Sequence, residues 1–115
     1  AMDDLLLQMG ARISARRKQL KLTQEELAER AELTCQTIST AETGKKALRP
    51  ENIIRLCAAL DISTEYLLRG KISTEDTDLL SRKVSKLSPV QYRHLEDIIN
   101  SYIAAVSDPA SKNIV

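Results

Sequence analysis

Aromatic residues are nearly absent from the 115-residue chain, which has three Tyr and neither Phe nor Trp. Three Gly and three Pro leave little material for turns, and no stretch alternates apolar and polar residues with a period of two. A sandwich or barrel needs both, so the fold class expected is all-α. Two cysteines, Cys35 and Cys57, are too few for a disulfide framework, and the single His94 cannot complete a Cys/His zinc site with them. No apolar run approaches the roughly 20 residues of a membrane span. Ala1-Met2-Asp3-Asp4 lacks the basic-then-apolar order of a secretory signal. A reduced, cytoplasmic protein without metal or cofactor is expected. Nor is there an excess of one charge: 17 Lys and Arg face 16 Asp and Glu, a net +1. Any case for nucleic-acid binding must therefore come from local pattern. What the chain does contain, 43% hydrophobic and 29% charged residues, is the balance of a globular protein and not of a disordered one.

The helix signals follow one another closely. Asp3 or Asp4 is placed to cap a first helix over about 5–20, with Leu6, Met9, Ile13 and Leu20 near helical spacing and Gly10 inside it at some cost. Thr23 and Glu26 form a capping box, T-x-x-E, for a short helix over about 24–31. Thr34 offers a second N-cap for a helix over about 35–43, which Gly44 ends in the left-handed conformation. After the basic loop Lys45-Lys46-Ala47-Leu48-Arg49, Pro50 suits the first turn of a fourth helix over about 50–60. Ser63 caps a fifth, about 64–69, that stops at Gly70. Residues 71–78 are polar. A sixth helix is expected over about 75–87, and Ser88-Pro89-Val90-Gln91 opens a seventh. There Leu95, Ile98, Ile99, Tyr102, Ile103 and Val106 form the cleanest amphipathic stripe in the chain. Ser107-Asp108-Pro109 stops it, and 107–115 is expected to be a disordered tail. No internal repeat is evident.

The stretch from Thr23 to Thr43 is thus two short capped helices joined by about three residues. Ala28 is small where they cross, Leu33 is apolar in the turn, and Ile38 is apolar where the second must plug the core. That is a helix-turn-helix pattern, in which the second helix enters the DNA major groove. Five separated motifs then stand in order: Ile13-x-x-x-Arg17, Leu22-Thr23-Gln24-Glu25-Glu26-Leu27-Ala28, Ile38, Glu42-x-Gly44-Lys45, and Tyr66-Leu67-Leu68-x-Gly70. On these residues the chain resembles the phage repressor/Cro (Xre-like) type of helix-turn-helix regulator over about residues 10–70.

The resemblance implies a five-helix DNA-binding domain over 5–70, followed by a C-terminal pair of amphipathic helices over 75–106. It implies that Cys35, Gln36, Ser39 and Thr40 face base edges. Gln36 is the best direct reader, because an amide can bond adenine bidentately. Gln24, Thr34, Thr37, Thr43, Lys45, Lys46 and Arg49 would lie at phosphates, and Arg17 and Glu42 would form a structural ion pair. Four features depart from the family pattern. Glu32 stands where the turn often has Gly, at a cost of about 1 kcal/mol if φ is positive. Ala41 is small where a larger apolar residue is usual. Arg16 takes a common apolar position, with its stem expected to be buried and its head exposed. The third helix has no Lys or Arg, so bidentate guanine reading is not expected from it, and preference would lean on Gln36, threonine methyl contacts and DNA shape. The charge also divides: residues 10–70 hold 11 basic against 8 acidic residues, and 71–115 hold 6 and 6.

Nothing points to catalysis: there is no Ser/His/Asp set, phosphate loop or paired-acid pocket. Glu25, Glu26, Glu29 and Glu32 read as solvent-facing acids in and after a short helix. Cys35 reads as a small contact residue, Cys57 as core, and Tyr92 and Tyr102 as packing residues. The stripes over 75–106 need a partner, since a lone amphipathic helix is marginal in water. They can pack on a twin, fold back, or bind another protein. The twin is favoured, with Leu95, Ile98, Ile99, Tyr102, Ile103 and Val106 as the dimer interface. The expected function is a transcriptional regulator, a repressor binding double-stranded DNA at a palindromic operator as a homodimer. The alternative is an antitoxin-type module whose C-terminal helices sequester a protein. No effector is legible.

Overall fold

The computed structural model describes residues 2–109, with Met2 and Asp3 described by their backbone alone. Within them the chain forms α1 (Met2–Gln19), α2 (Gln24–Ala31), α3 (Cys35–Glu42), α4 (Pro50–Leu60), α5 (Thr64–Arg69), α6 (Thr74–Val84) and α7 (Pro89–Ser107), with no strand. The first compact unit runs to Leu79 and the second begins at Leu80, so α6 crosses the boundary.

Most helix starts follow from short-range chemistry. The Thr23 hydroxyl accepts from the Glu26 amide at 3.0 Å while the Glu26 carboxylate accepts from the Thr23 amide at 2.9 Å. These bonds hold the Glu26 carboxyl below its ordinary range. Ser88 and Gln91 repeat the box at α7, Thr34 and Ser63 cap α3 and α5, and Pro50 and Pro89 sit in the first turns. The start of α1 is different. It begins at Met2, so Asp3 and Asp4 lie in the first turn and not at the position preceding the helix; nothing between Met2 and Leu7 breaks a helix.

Helix stops use the left-handed conformation repeatedly: Glu32 at φ 57°, Asp61 at 53°, Gly44 at 69° and Gly70 at 74°. The Leu33 amide bonds the Ala28 carbonyl at 2.9 Å around Glu32, a turn where Gly would be easier by about 1 kcal/mol. Helix α6 stops at Val84, three residues short of the expected 87. The Ser85 hydroxyl donates back to the Arg82 carbonyl at 2.7 Å, and the Lys86 and Leu87 amides tighten to bonds three residues back. Ser88, ahead of Pro89, must then be extended.

The first unit closes around Ile13, Leu27, Ile38, Leu56, Leu60 and Leu67, all fully buried. A Cβ on Gly10 would stand 2.5 Å from the carbonyl oxygens of both Ala41 and Glu42. The backbone of α1 therefore meets the end of α3 directly, and the small Ala41, also buried, belongs to that close approach. Arg16 is not a free surface head. Its Nε donates to the Leu60 carbonyl at 2.8 Å and its Nη2 to Asp61 at 3.4 Å, capping the end of α4. Arg12 does the same for α5 through Leu67 at 3.0 Å. Both place a cation at the negative end of a helix.

Against the expectation of no internal repeat, a short one is present: Ile-Ser-Thr-Glu stands at 62–65 and again at 72–75, opening α5 and α6. Asp76, one residue past the second copy, accepts from the amide and hydroxyl of Ser63 at 2.8 and 2.5 Å, and from those of Ser73 at 2.9 and 3.2 Å. The polar segment 71–78 thus ties the first turn of α6 to the start of α5.

Helix α7 buries no residue fully. Leu95 and Val106 are half-buried, while Ile98, Ile99, Tyr102 and Ile103 are exposed. Ser107 is the last residue of α7 and Asp108 is extended; of the expected tail, residues 110–115 lie outside the described residues.

Candidate nucleic-acid interface

Ile38 and Ala41 are the two buried residues of α3. Anchoring that side leaves Gln36, Ser39, Thr40 and Thr43, at steps of three, four and seven from Gln36, on the opposite side. Gln36 and Thr43 are exposed, and Cys35, Thr37, Ser39 and Thr40 are half-buried. The helix carries no charge on this face, so what it offers is hydroxyls, a thiol and one amide. The Gln36 Nε2 donates to Thr40 Oγ1 at 3.3 Å, which lays the amide along the face and leaves its carbonyl oxygen and second N–H free. An amide with one acceptor and one donor outward suits the adenine edge.

The threonines divide by their bonds. Thr34 and Thr37 share a hydroxyl contact of 2.8 Å at the first turn, where Thr34 also accepts from the Thr37 amide. The Thr43 hydroxyl donates back to the Ser39 and Thr40 carbonyls at 3.0 and 3.1 Å. As it stands it offers only lone pairs outward, and a phosphate contact through it requires the hydroxyl to turn.

Arg17 and Glu42 meet at 2.7 Å through Nε and at 3.1 Å through Nη2, with side chains only 12% and 7% exposed. Arg17 Nη1 also donates to the Leu22 carbonyl at 2.8 Å. The hydrogen bond to Glu42 raises the Arg17 pKa further against desolvation, so the cation is fixed. Glu42 takes a third donor, Gln24 Nε2 at 3.2 Å. One carboxylate at the end of α3 thereby joins α1 to the first residue of α2. The Gln24 amide keeps one hydrogen for an outside acceptor, beside the unpaired first amides of α2.

Lys45, Lys46 and Arg49 are exposed on the loop after α3. Lys46 and Arg49 border a shallow hollow whose other wall is Gln36, Thr37 and Thr40, with Asn52 of α4 at its side. Asn52 was not among the expected site residues. An asparagine in the first turn of a helix is unremarkable in sequence; only the fold brings it across from α3.

The remaining candidates belong elsewhere. Burial, with Glu75 and Asp76 nearby, pushes the Cys57 thiol up to about 11, so it is an inert core group at neutral pH. Glu25, Glu29 and Glu32 face solvent. Among the described residues no cluster of His, Cys, Asp and Glu could hold a metal ion, and no helix is long and apolar enough to cross a membrane.

Comparison with known proteins converges on the same segment. Residues 13–67 match the Helix-turn-helix protein family. Repressor protein C2 of Salmonella phage P22 is 38% identical over 74 residues, which are 64% of this chain but 34% of that protein. The chain therefore spans about a third of the length of that curated relative. The P22 c2 repressor, solved in complex with synthetic operator 9T, superposes with a TM-score of 0.53 at 40% identity, covering 55% of this chain and 96% of that one. The restriction-modification controller protein C.AhdI from Aeromonas hydrophila gives a TM-score of 0.52 at 32% identity, covering 54% and 94%. A chain of the SinR/SinI protein complex, 24% identical with a TM-score of 0.54, covers 84% of this chain and 98% of its own, a likeness of fold.

Proposed function

Because the chain belongs to the helix-turn-helix family of phage-repressor type, a family of DNA-binding regulators, we propose that it represses transcription by occupying a palindromic operator as a cytoplasmic homodimer. The observation that carries this reading is the solvent-facing polar side of α3, framed by Gln24 on one side and by Lys46 and Arg49 on the other. Gln36, with Cys35, Ser39 and Thr40 beside it, reads base edges in the major groove. Gln24, Thr34, Thr37, Thr43, Lys45, Lys46 and Arg49 hold phosphates and set the register. Arg17 and Glu42 keep α1 and α3 in fixed relation. The protein, bound at its operator, excludes polymerase, and no cofactor takes part. The stripe Leu95, Ile98, Ile99, Tyr102, Ile103 and Val106 pairs with its twin. Two reading helices about 34 Å apart then meet successive major-groove faces.

Selection from random-sequence duplex DNA at several salt concentrations tests the reading. Paired, inverted half-sites should emerge. Lys46→Ala should weaken all sequences alike and reduce the salt slope by about one phosphate contact. Gln36→Ala should cost about 1–3 kcal/mol at one base pair and leave random DNA unchanged. Equal loss on selected and random DNA would sink Gln36 as a base reader. Sedimentation should show a dimer that Ile98→Glu disrupts; a monomer would turn the stripe over to a different protein, the antitoxin-type alternative.

A further inference from the structure

Helix α6 has no fully buried residue, and the linker Gly70-Lys71-Ile72 before it is exposed. Its apolar packing within the first unit is limited to the half-buried Leu79, which borders a hollow with Ile54, Cys57 and Ala58, and the linker adds none. What grips it is Asp76. Both its carboxylate oxygens are engaged: Oδ1 by the Ser63 amide, and Oδ2 by the Ser63 hydroxyl and by the amide and hydroxyl of Ser73. Ser63 is itself 2% exposed, and its hydroxyl also accepts from the Tyr66 amide at 3.0 Å, capping α5. The clamp is thus set into the rigid part of the first unit. Its other end lies in the first turn of a continuous helix that runs into the second unit.

We propose that Asp76 is a positioning residue that fixes the direction in which α6 leaves the helix-turn-helix unit, and thereby the spacing of DNA half-sites that the protein accepts. This rests on the dimeric reading above. The lever is long enough to matter. Eleven helical residues span about 16 Å, so a swing of about 30° carries the far end about 8 Å. Successive base pairs rise only about 3.4 Å along the duplex. A free hinge at residues 70–73 would let one dimer serve several spacings, and a clamped one admits few.

The test uses the full chain and two readouts. The first is backbone 15N order parameters for Thr77 to Val84. In the unaltered protein these should match α1–α5 at about 0.85, and in Asp76→Ala they should fall below about 0.6. The second is affinity for the half-site obtained by selection, presented singly and as inverted pairs whose centres are moved one base pair at a time. The unaltered protein should lose about tenfold when the spacing shifts by two base pairs, and Asp76→Ala should bind all spacings within about threefold while single half-site affinity is kept. Ser73→Ala removes one of the four donors and should give an intermediate profile, which covers the case that Asp76→Ala folds poorly. Unchanged order parameters, or an unchanged spacing profile in a variant whose α6 has loosened, overturn the proposal. Failure of the dimeric reading looks different: the unaltered protein would select no paired half-sites, before any variant is made.

Discussion

Ile38 of α3 and Ile98 of α7 both stand in the apolar stripe of a helix capped by a hydroxyl residue, yet Ile38 is wholly buried and Ile98 is 65% exposed. The same contrast extends to charge. Arg17 and Glu42 are enclosed and share their hydrogen bonds with Leu22 and Gln24, whereas Arg93 and Glu96 meet at 3.1 Å with side chains 71% and 49% exposed. An apolar stripe announces that a surface will be covered, not by what. In the first unit the cover is the chain itself; in α7 Ile98, Ile99, Tyr102 and Ile103 stand exposed.

Variants can break that contrast or sharpen it. The largest effect is expected from Glu42→Ala, which strands the Arg17 cation and should cost about 3–5 kcal/mol in urea unfolding. Glu96→Ala should change stability by no more than about 0.5 kcal/mol. Comparable losses would mean that enclosure is not what separates the two pairs. Next, Ile38→Ala should cost about 2–5 kcal/mol. Ile98→Ala should leave the unfolding of the first unit unchanged and show its effect in a concentration-dependent sedimentation profile. Glu32→Gly should raise stability by about 1 kcal/mol by relieving the left-handed turn, seen as a higher thermal midpoint.

The smallest effect concerns pH. Burial works to raise the Asp76 carboxyl, but its bonds from Ser63 and Ser73 outweigh this and hold it below the ordinary 3.8. The folded state thus binds this proton less readily than the unfolded chain. Its contribution is complete above about pH 5 and is lost as the pH falls below the ordinary value toward the lowered one. Asp76→Asn should flatten that part of the acid limb of an unfolding curve and leave the neutral plateau parallel.

What the sequence revealed and what it hid follow one physical division. Thr23 with Glu26, Thr34 with Thr37, and Ser88 with Gln91 bond across three residues, so their caps can be read from spacing alone. The all-helical class and the helix-turn-helix segment rest on such signals. Gly10 against Ala41, Arg12 on Leu67 and Arg16 on Leu60 join residues more than thirty positions apart, and no local pattern marks them. Asn52 reaches the edge of the α3 face for the same reason. Asp76 lies between the cases. Ser73-x-x-Asp76 is a readable cap, but the bond to Ser63 is not, and that bond turns the cap into a tether. The helices end after Ala31 and Leu60 as their spacing indicates, although Glu32 and Asp61 and not glycine take the left-handed conformation there.

The bare contact at Gly10 bears on how this surface can vary. A contact between side chains can be retuned, because either partner can change rotamer when the other changes size. A contact of backbone on backbone has no rotamers to spend. One methyl group at residue 10 would displace α3 as a body and not be absorbed around it. The height at which α3 stands out from the domain is therefore a dimension of the main chain. Residues on its outer face can be exchanged, altering what that face recognises, while the depth to which it is offered stays constant.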